Sequence, residues 1–179
     1  GINQTIPNLK HHTLFFENDL DKHTERIYGE KKWPEKPLFY ACCPSKTDKI
    51  VAPKGKENLF LLMPLAINIQ DDEKNREKYI AEMLSRIEKH TGVADLASKI
   101  EYQRSYCVTD FVQDYNAYGG NAYGLANTLN QTAVLKPKMR NKKVNNLFYT
   151  GQLTVPGPGV PPSIISGKIV ANEITKFKN

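Results

Sequence analysis

The run Gly151-Gln152-Leu153-Thr154-Val155-Pro156-Gly157-Pro158-Gly159-Val160-Pro161-Pro162-Ser163 limits the backbone more than any other part of this chain. Ahead of it lies a short apolar, aromatic stretch, Leu147 to Thr150, which reads as a buried strand. Behind it, Ser163 to Ile174 carries apolar residues at helical spacing. Proline is pre-organised for a first helical turn and sacrifices no hydrogen bond there, so Pro161 and Pro162 suit the helix start. Gly151, Gly157 and Gly159 fall between strand and helix, where a missing Cβ lets backbone approach a flat or charged ligand. The expected unit is strand, glycine-rich turn and helix N-terminus, aiming free N–H groups and the positive end of a helix dipole at one spot. It is not the dinucleotide fingerprint G-x-G-x-x-G, because the run from Gly157 ends in proline at Pro162. Gly119-Gly120-Asn121-Ala122-Tyr123-Gly124 has the wrong spacing and no strand before it. Physics alone leaves a ligand-holding turn and a tight connection both open.

The run Gly151 to Gly167 closely resembles the C-terminal FAD-contacting motif of the phytoene desaturases, FAD-dependent carotenoid dehydrogenases. Asn116-Ala117-Tyr118, Gly120 to Leu125, Thr128 to Ala133 and Lys136-Pro137 follow in that family's order and spacing. So do Lys10-His11-His12-Thr13-Leu14-Phe15-Phe16, Cys43 to Asp48, Ala52 to Gly55, and Asn58 to Pro64. The resemblance spans essentially the whole chain. It implies a two-lobed flavoprotein with bound FAD and a long apolar polyene substrate such as phytoene. It places FAD contacts at Gly151, Gln152, Pro156, Gly157, Gly159, Val160, Pro161, Pro162 and Ser163. Substrate-pocket positions fall at Tyr123, Leu125, Asn130 and Gln131; no catalytic acid or base is assigned. Family members begin with a G-x-G-x-x-G unit that grips the FAD diphosphate, and this sequence has none. The chain is therefore expected to be the C-terminal portion of a longer enzyme, with an incomplete FAD site and no activity in isolation. A related flavin-dependent carotenoid isomerase or retinoid saturase, or an inert binding or oligomerising domain, stays open beside it.

Composition limits the remaining choices. A hydrophobic share of 40% and a charged share of 25% are those of an ordinary globular chain. The formal net charge is +6, but only Lys136 to Lys143 forms a basic run, which reads as a solvated loop before the last strand. Nucleic acid is not expected as a partner. No apolar stretch approaches the roughly 20 residues of a membrane span, and no signal peptide is visible. The expected location is the cytoplasm, with the full-length enzyme peripheral to the inner face of the membrane. Three cysteines give neither a disulfide framework nor a zinc spacing. Cys42 and Cys43, adjacent on a strand, point one into the core and one to the outer face. His11 and His12 read as structural, with no carboxylate or cysteine at ligand spacing, so no metal is expected.

In chain order, strands are expected over Thr13–Phe16, Leu38–Cys43, Leu59–Met63 (central in its sheet) and Lys99–Cys107. Asn18 to Tyr28 reads as an amphipathic helix with Leu20, Ile27 and Tyr28 inward. Trp33 is assigned to packing. Ser45-Lys46 lacks a third group to make a nucleophile pair. Asp71-Asp72-Glu73 puts negative charge at the start of a helix running to about His90, with Tyr79, Ile80, Met83, Leu84 and Ile87 on one face and Gly92 as its stop. Thr109 is the expected N-cap of a brief helix to Tyr115.

Tyr115 to Pro137 is rich in tyrosine, glycine and amides (Asn116, Asn121, Asn127, Asn130, Gln131) and poor in charge. Such a segment is either a pocket wall or a loop ordered by its own hydrogen bonds, and the resemblance favours the pocket. The expected fold class is mixed α/β (α+β): about four strands with flanking helices over residues 1–143, from the substrate-binding domain, then a C-terminal segment of the FAD-binding domain over residues 144–179. That last strand, short of sheet neighbours, is expected to re-dock, pair with another copy or stay mobile.

Overall fold

The computed structural model describes residues 1–126 and 128–178, with no account of the side chains of residues 177 and 178. The chain is mixed α/β. Three short strands, β1 (His12–Phe15), β2 (Phe39–Cys42) and β3 (Phe60–Leu62), form one antiparallel sheet in the order β1-β2-β3. Among the described residues four α-helices accompany them: α1 (Leu20–Thr24), α2 (Glu73–Thr91), α3 (Val108–Tyr115) and α4 (Val160–Lys178). The contacts group into two compact units, Gly1–Asp110 and Phe111–Asn179.

In the first unit, strand alternation sorts the side chains between two faces. Phe15, Phe39 and Ala41 are buried on one face, where the Phe15 and Phe39 rings stack with centroids 4.4 Å apart. Ile6, Leu9, Met83, Leu84, Ile87 and Leu96 complete that core, so α2 packs its predicted apolar stripe with the sheet residues. The opposite face of the sheet holds His12, Leu14, Tyr40, Cys42, Phe60 and Leu62, and it is open: Leu14 is 63% and Phe60 52% exposed. Cys43 is fully buried and Cys42 half-buried. Burial pushes the Cys43 thiol up to about 11.

Helix α2 begins and ends as its sequence dictates. The Asp72 carboxylate accepts from the Asn75 N–H at 2.8 Å, and Gly92 closes the helix at φ 75° with its N–H on the Glu88 carbonyl. Asp71 has a different task. Its fully buried side chain takes two bonds from Arg76 (2.7 and 2.6 Å) and two from Thr109. These hold its carboxyl far below the usual range, the Arg76 hydrogen bond foremost. Ser45 and Lys46 converge on buried Glu57, a structural ion pair and not a nucleophile site. Trp33 stacks on Tyr79 with centroids 4.8 Å apart and donates to the Gln70 carbonyl at 2.7 Å.

Four sequence expectations are corrected. Lys99–Cys107 forms no strand: Ile100 makes one bridge to Ile2, and Glu101, Tyr102, Gln103 and Arg104 are all exposed, so the segment has no apolar face to bury. β3 is an edge, not the centre; β2 is the strand paired on both sides. The helix expected over Asn18 to Tyr28 is α1 followed by a π-helical turn (Glu25–Gly29), which buries His23 and Ile27 while Leu20 and Tyr28 stay exposed. Finally, α3 starts at Val108, so Thr109 is inside its first turn. Asp110 accepts from the Cys107 N–H at 2.7 Å in the place of the expected cap.

No helix among the described residues is long and apolar enough to cross a membrane.

Candidate functional site

The second unit is built around the glycine-rich turn that leads into α4. The turn is shaped from behind by hydroxyls. Ser166, fully buried in the second turn of α4, accepts from the Gly151 N–H at 2.8 Å and shares hydrogen bonds with Thr150 (2.7 Å) and Thr154 (3.0 Å). Buried Thr154 donates its hydroxyl to the Gly151 carbonyl at 2.9 Å. A single serine thus ties both legs of the turn to the helix. A cis peptide joins Val155 to Pro156.

Gly151, Gly157 and Gly159 have φ of 103°, 133° and 118°, where an L side chain is strained. Space adds a second restriction at Gly159, whose imagined Cβ would lie 3.3 Å from Pro162 Cδ. The helix N-terminus differs from the expected cluster of free N–H groups. Pro161 and Pro162 have none, and the Ser163 N–H is taken by the Gly159 carbonyl at 3.0 Å. Val160, 76% exposed, opens the helix from Val160 to Lys178 and so lies at the positive end of its dipole. Gln152 is half-buried, Pro156 exposed, and Pro162 and Ser163 half-buried.

The strand expected over Leu147–Thr150 is not formed and not buried. Phe148 makes an isolated bridge to Arg140, with Tyr149 donating its N–H to the Met139 carbonyl at 2.7 Å, and Leu147 and Tyr149 are 40% and 41% exposed. An apolar run of this length is stable as a central strand only between two neighbours, and among the described residues it has one short partner.

The basic run also divides. Lys138, Arg140, Lys142 and Lys143 are exposed, as a solvated loop requires, but Lys136 is 6% exposed. Its ammonium lies against the turn: an imagined Cβ on Gly157 would be 3.4 Å from Lys136 Cε and 3.7 Å from Nζ. Sequence reading missed this residue because a lysine in a basic run looks like its neighbours. What marked it in the sequence was that Lys136-Pro137 follows the family's order and spacing.

The amide-rich loop reaches the turn as well. Gly124, φ 82°, packs so closely on Leu153 that a Cβ there would meet Leu153 Cδ2 at 2.5 Å. Asn121 accepts from the Gly124 N–H at 2.6 Å and donates to the Tyr118 carbonyl, while Gln131 accepts from the Ala126 N–H. Part of the loop's amide content therefore orders its own backbone. Tyr123 is 62% exposed, Leu125 half-buried and Asn130 exposed; Asn127 is outside the described residues. In the first unit, the sheet brings Cys42 next to His11 and His12, a neighbour that a gap of some thirty residues conceals in the sequence.

No family model matches the chain. Individual relatives do. It is 44% identical over 174 residues to a carotenoid 3,4-desaturase from Haloarcula japonica, covering 97% of this chain and 35% of the relative. It is 32% identical over 181 residues to a zeta-carotene-forming phytoene desaturase from Myxococcus xanthus, covering 97% and 34%. A 4,4'-diaponeurosporene oxygenase from Staphylococcus aureus is 30% identical over 177 residues, covering 97% and 35%. The chain thus spans about a third of the length of the curated relatives it matches. Along nearly all of its length, the chain corresponds to a C-terminal portion of the carotenoid desaturases of the phytoene desaturase family.

Proposed function

We propose that this chain supplies one wall of the FAD site and part of the substrate region of a carotenoid desaturase acting on phytoene or a related long polyene. The observation that carries the reading is the conjunction at the turn: three glycines at positive φ, a dipole end at Val160 and the buried ammonium of Lys136 beside Gly157. Those features suit a flat, electron-accepting ring system. Bare backbone allows close stacking, and positive potential favours the charge that develops when such a ring is reduced. FAD, when bound, supplies the acceptor for the hydride removed from an allylic position of the substrate.

The residues assigned to the cofactor have separable tasks. Gly151 and Gly159 keep the approach clear, and Gly157 lets the Lys136 side chain lie against the turn. Gln152, Pro156 and Val160 present contact surface at the rim. Pro161, Pro162 and Ser163 direct α4 so that its N-terminus faces the ligand, and Lys136 adds a fixed charge. Tyr123, Leu125, Asn130 and Gln131 are proposed to border the polyene, on a loop that touches the turn through Gly124 and Leu153. Residues 144–179 belong in this reading to the flavin side and residues 1–143 to the substrate side. Desaturation is favoured over oxygenation by the names of the two relatives at 44% and 32% identity.

A polyene dissolves in lipid, so the enzyme is proposed to work at a membrane surface on the cytoplasmic side. Leu129, Val134 and Leu135 are 86%, 82% and 58% exposed, and exposed Lys138, Arg140, Lys142 and Lys143 follow closely in sequence. Apolar anchors joined to a basic cluster are the pattern that binds anionic bilayers. Flotation with anionic vesicles is expected to carry the chain upward, and a Leu129→Ser/Val134→Ser double variant to stay below. Equal flotation of the two would remove the membrane reading.

The central test is an FAD titration, by flavin fluorescence, of this chain beside the complete gene product, followed by chromatography of the latter's carotenoid products. The complete product is expected to retain FAD and lengthen the conjugated system of its substrate, and this chain alone to bind FAD far more weakly. A complete product that neither holds flavin nor alters the polyene chromophore would overturn the assignment.

A further inference from the structure

We infer that His11, His12 and Cys42 form a binding site for a soft divalent transition metal, zinc first, on the open face of the sheet. One ring nitrogen from each histidine and the Cys42 sulfur all lie within 4.8 Å of one another. The backbone explains why they meet. His12 and Cys42 stand directly opposite in the β1–β2 register. One step along, the Cys43 N–H bonds the His11 carbonyl at 2.8 Å. His12 and Cys42 are therefore the non-hydrogen-bonded kind of pair, the kind that brings opposed side chains closest. His11 joins them by ring contact, its centroid 4.2 Å from that of His12.

The surroundings are those of a ligand set. Each imidazole has a hydroxyl on Nδ1, Thr47 Oγ1 at 2.6 Å for His11 and Tyr40 OH at 2.5 Å for His12. Ligating histidines generally carry such an outer partner, which fixes ring orientation and leaves the other nitrogen as the lone-pair donor. Tyr40 and Cys42 lie on the same face of β2. His11 and Cys42 are half-buried and His12 is exposed, so an ion can enter.

The donor set selects the metal. Two imidazole nitrogens and a thiolate suit zinc or copper and are wrong for calcium or magnesium, which take oxygen. Tetrahedral zinc bonds place ligand atoms about 3.4 to 3.6 Å apart, so closure from 4.8 Å requires only side-chain rotation. On binding, the Cys42 thiol gives its proton to solvent, sulfur donates an electron pair to the metal, and water fills the fourth position. Nothing is oxidised or reduced. The site lies within the first unit and is independent of the flavin reading.

Cobalt is the probe, because a thiolate-to-cobalt band in the near ultraviolet reports the sulfur directly. Titration of the metal-free chain is expected to reach one equivalent, with that band and the intense visible bands of a tetrahedral site, and zinc is expected to displace both. Cys42→Ser should abolish the near-ultraviolet band, whereas Cys107→Ser, at a buried thiol elsewhere, should keep it. Tyr40→Phe, which spares every ligand, should weaken binding roughly tenfold and keeps the test open if Cys42→Ser misfolds. Absence of a one-equivalent cobalt complex, a band that survives Cys42→Ser, or unchanged affinity in a folded Tyr40→Phe variant would overturn the site.

Discussion

Under the proposed FAD reading, Gly159→Val in the complete gene product is expected to yield a folded protein that purifies without flavin. At φ 118° a β-branched residue is severely disfavoured, and its Cβ would arrive 3.3 Å from Pro162 Cδ. Proline cannot swing aside, so the strain displaces the turn or the start of α4. A strain of about 2–3 kcal/mol would weaken flavin binding roughly 30- to 150-fold through the turn's geometry alone. The readout is the flavin-to-protein absorbance ratio after gel filtration. Gly167→Ala is the matched control: this glycine is inside α4, its Cβ would meet nothing within 4 Å, and alanine there should stabilise by about 0.5–1 kcal/mol. Full flavin content in Gly159→Val would remove the turn from the cofactor site.

Arg76→Met should produce the largest loss of stability in the first unit. Arg76 makes two bonds to the Asp71 carboxylate and an ion pair with Asp110 at 2.8 Å, and its own side chain is 13% exposed. Removing the guanidinium leaves Asp71, fully buried, to rely on the Thr109 N–H and hydroxyl. Breaking one side of a buried pair costs about 3–5 kcal/mol, a drop in Tm on the order of 10–20 °C for a unit this size. The pH dependence follows from the direction of the shift. Asp71 titrates lower in the folded chain than in the unfolded one. Its contribution is therefore complete above the unfolded carboxylate value of about 3.9 and is lost as pH falls below it. The gap between parent and variant in thermal melts should be full at neutral pH and shrink in acid. A constant gap across that range would assign the loss to packing by the Arg76 stem.

How far the fold could be read depended on whether a segment's neighbours were local. α2 was legible from Asp72 to Gly92, because cap, apolar stripe and stop all lie within the segment. β1 and β2 were legible as short apolar runs, the second bounded by Pro37 and Pro44. β3 was found but put in the wrong place, since an apolar run states that it is buried and not which strand flanks it. Leu147–Thr150 failed for the same reason in stronger form: its reading as a strand assumed partners that the described residues do not supply. At the turn, the sequence pointed to glycines between the apolar run and the helix and to a helix beginning near the proline pair. It did not reveal Ser166 as the fastening or Lys136 as a buried charge, because both depend on which distant residues come to lie beside them. The convergence of His11, His12 and Cys42 was hidden likewise by a strand register that no local pattern encodes.

The fastening by Ser166 separates two duties within one short loop. Shape is stored where Thr150, Thr154 and Ser166 share their hydroxyls, and exposed Pro156, Gly159 and Val160 take no part in that hydroxyl network. Such a loop can keep its path while its outer chemistry is exchanged. A lineage of enzymes could then retune what the rim touches, one outward residue at a time, without rebuilding the frame that presents it.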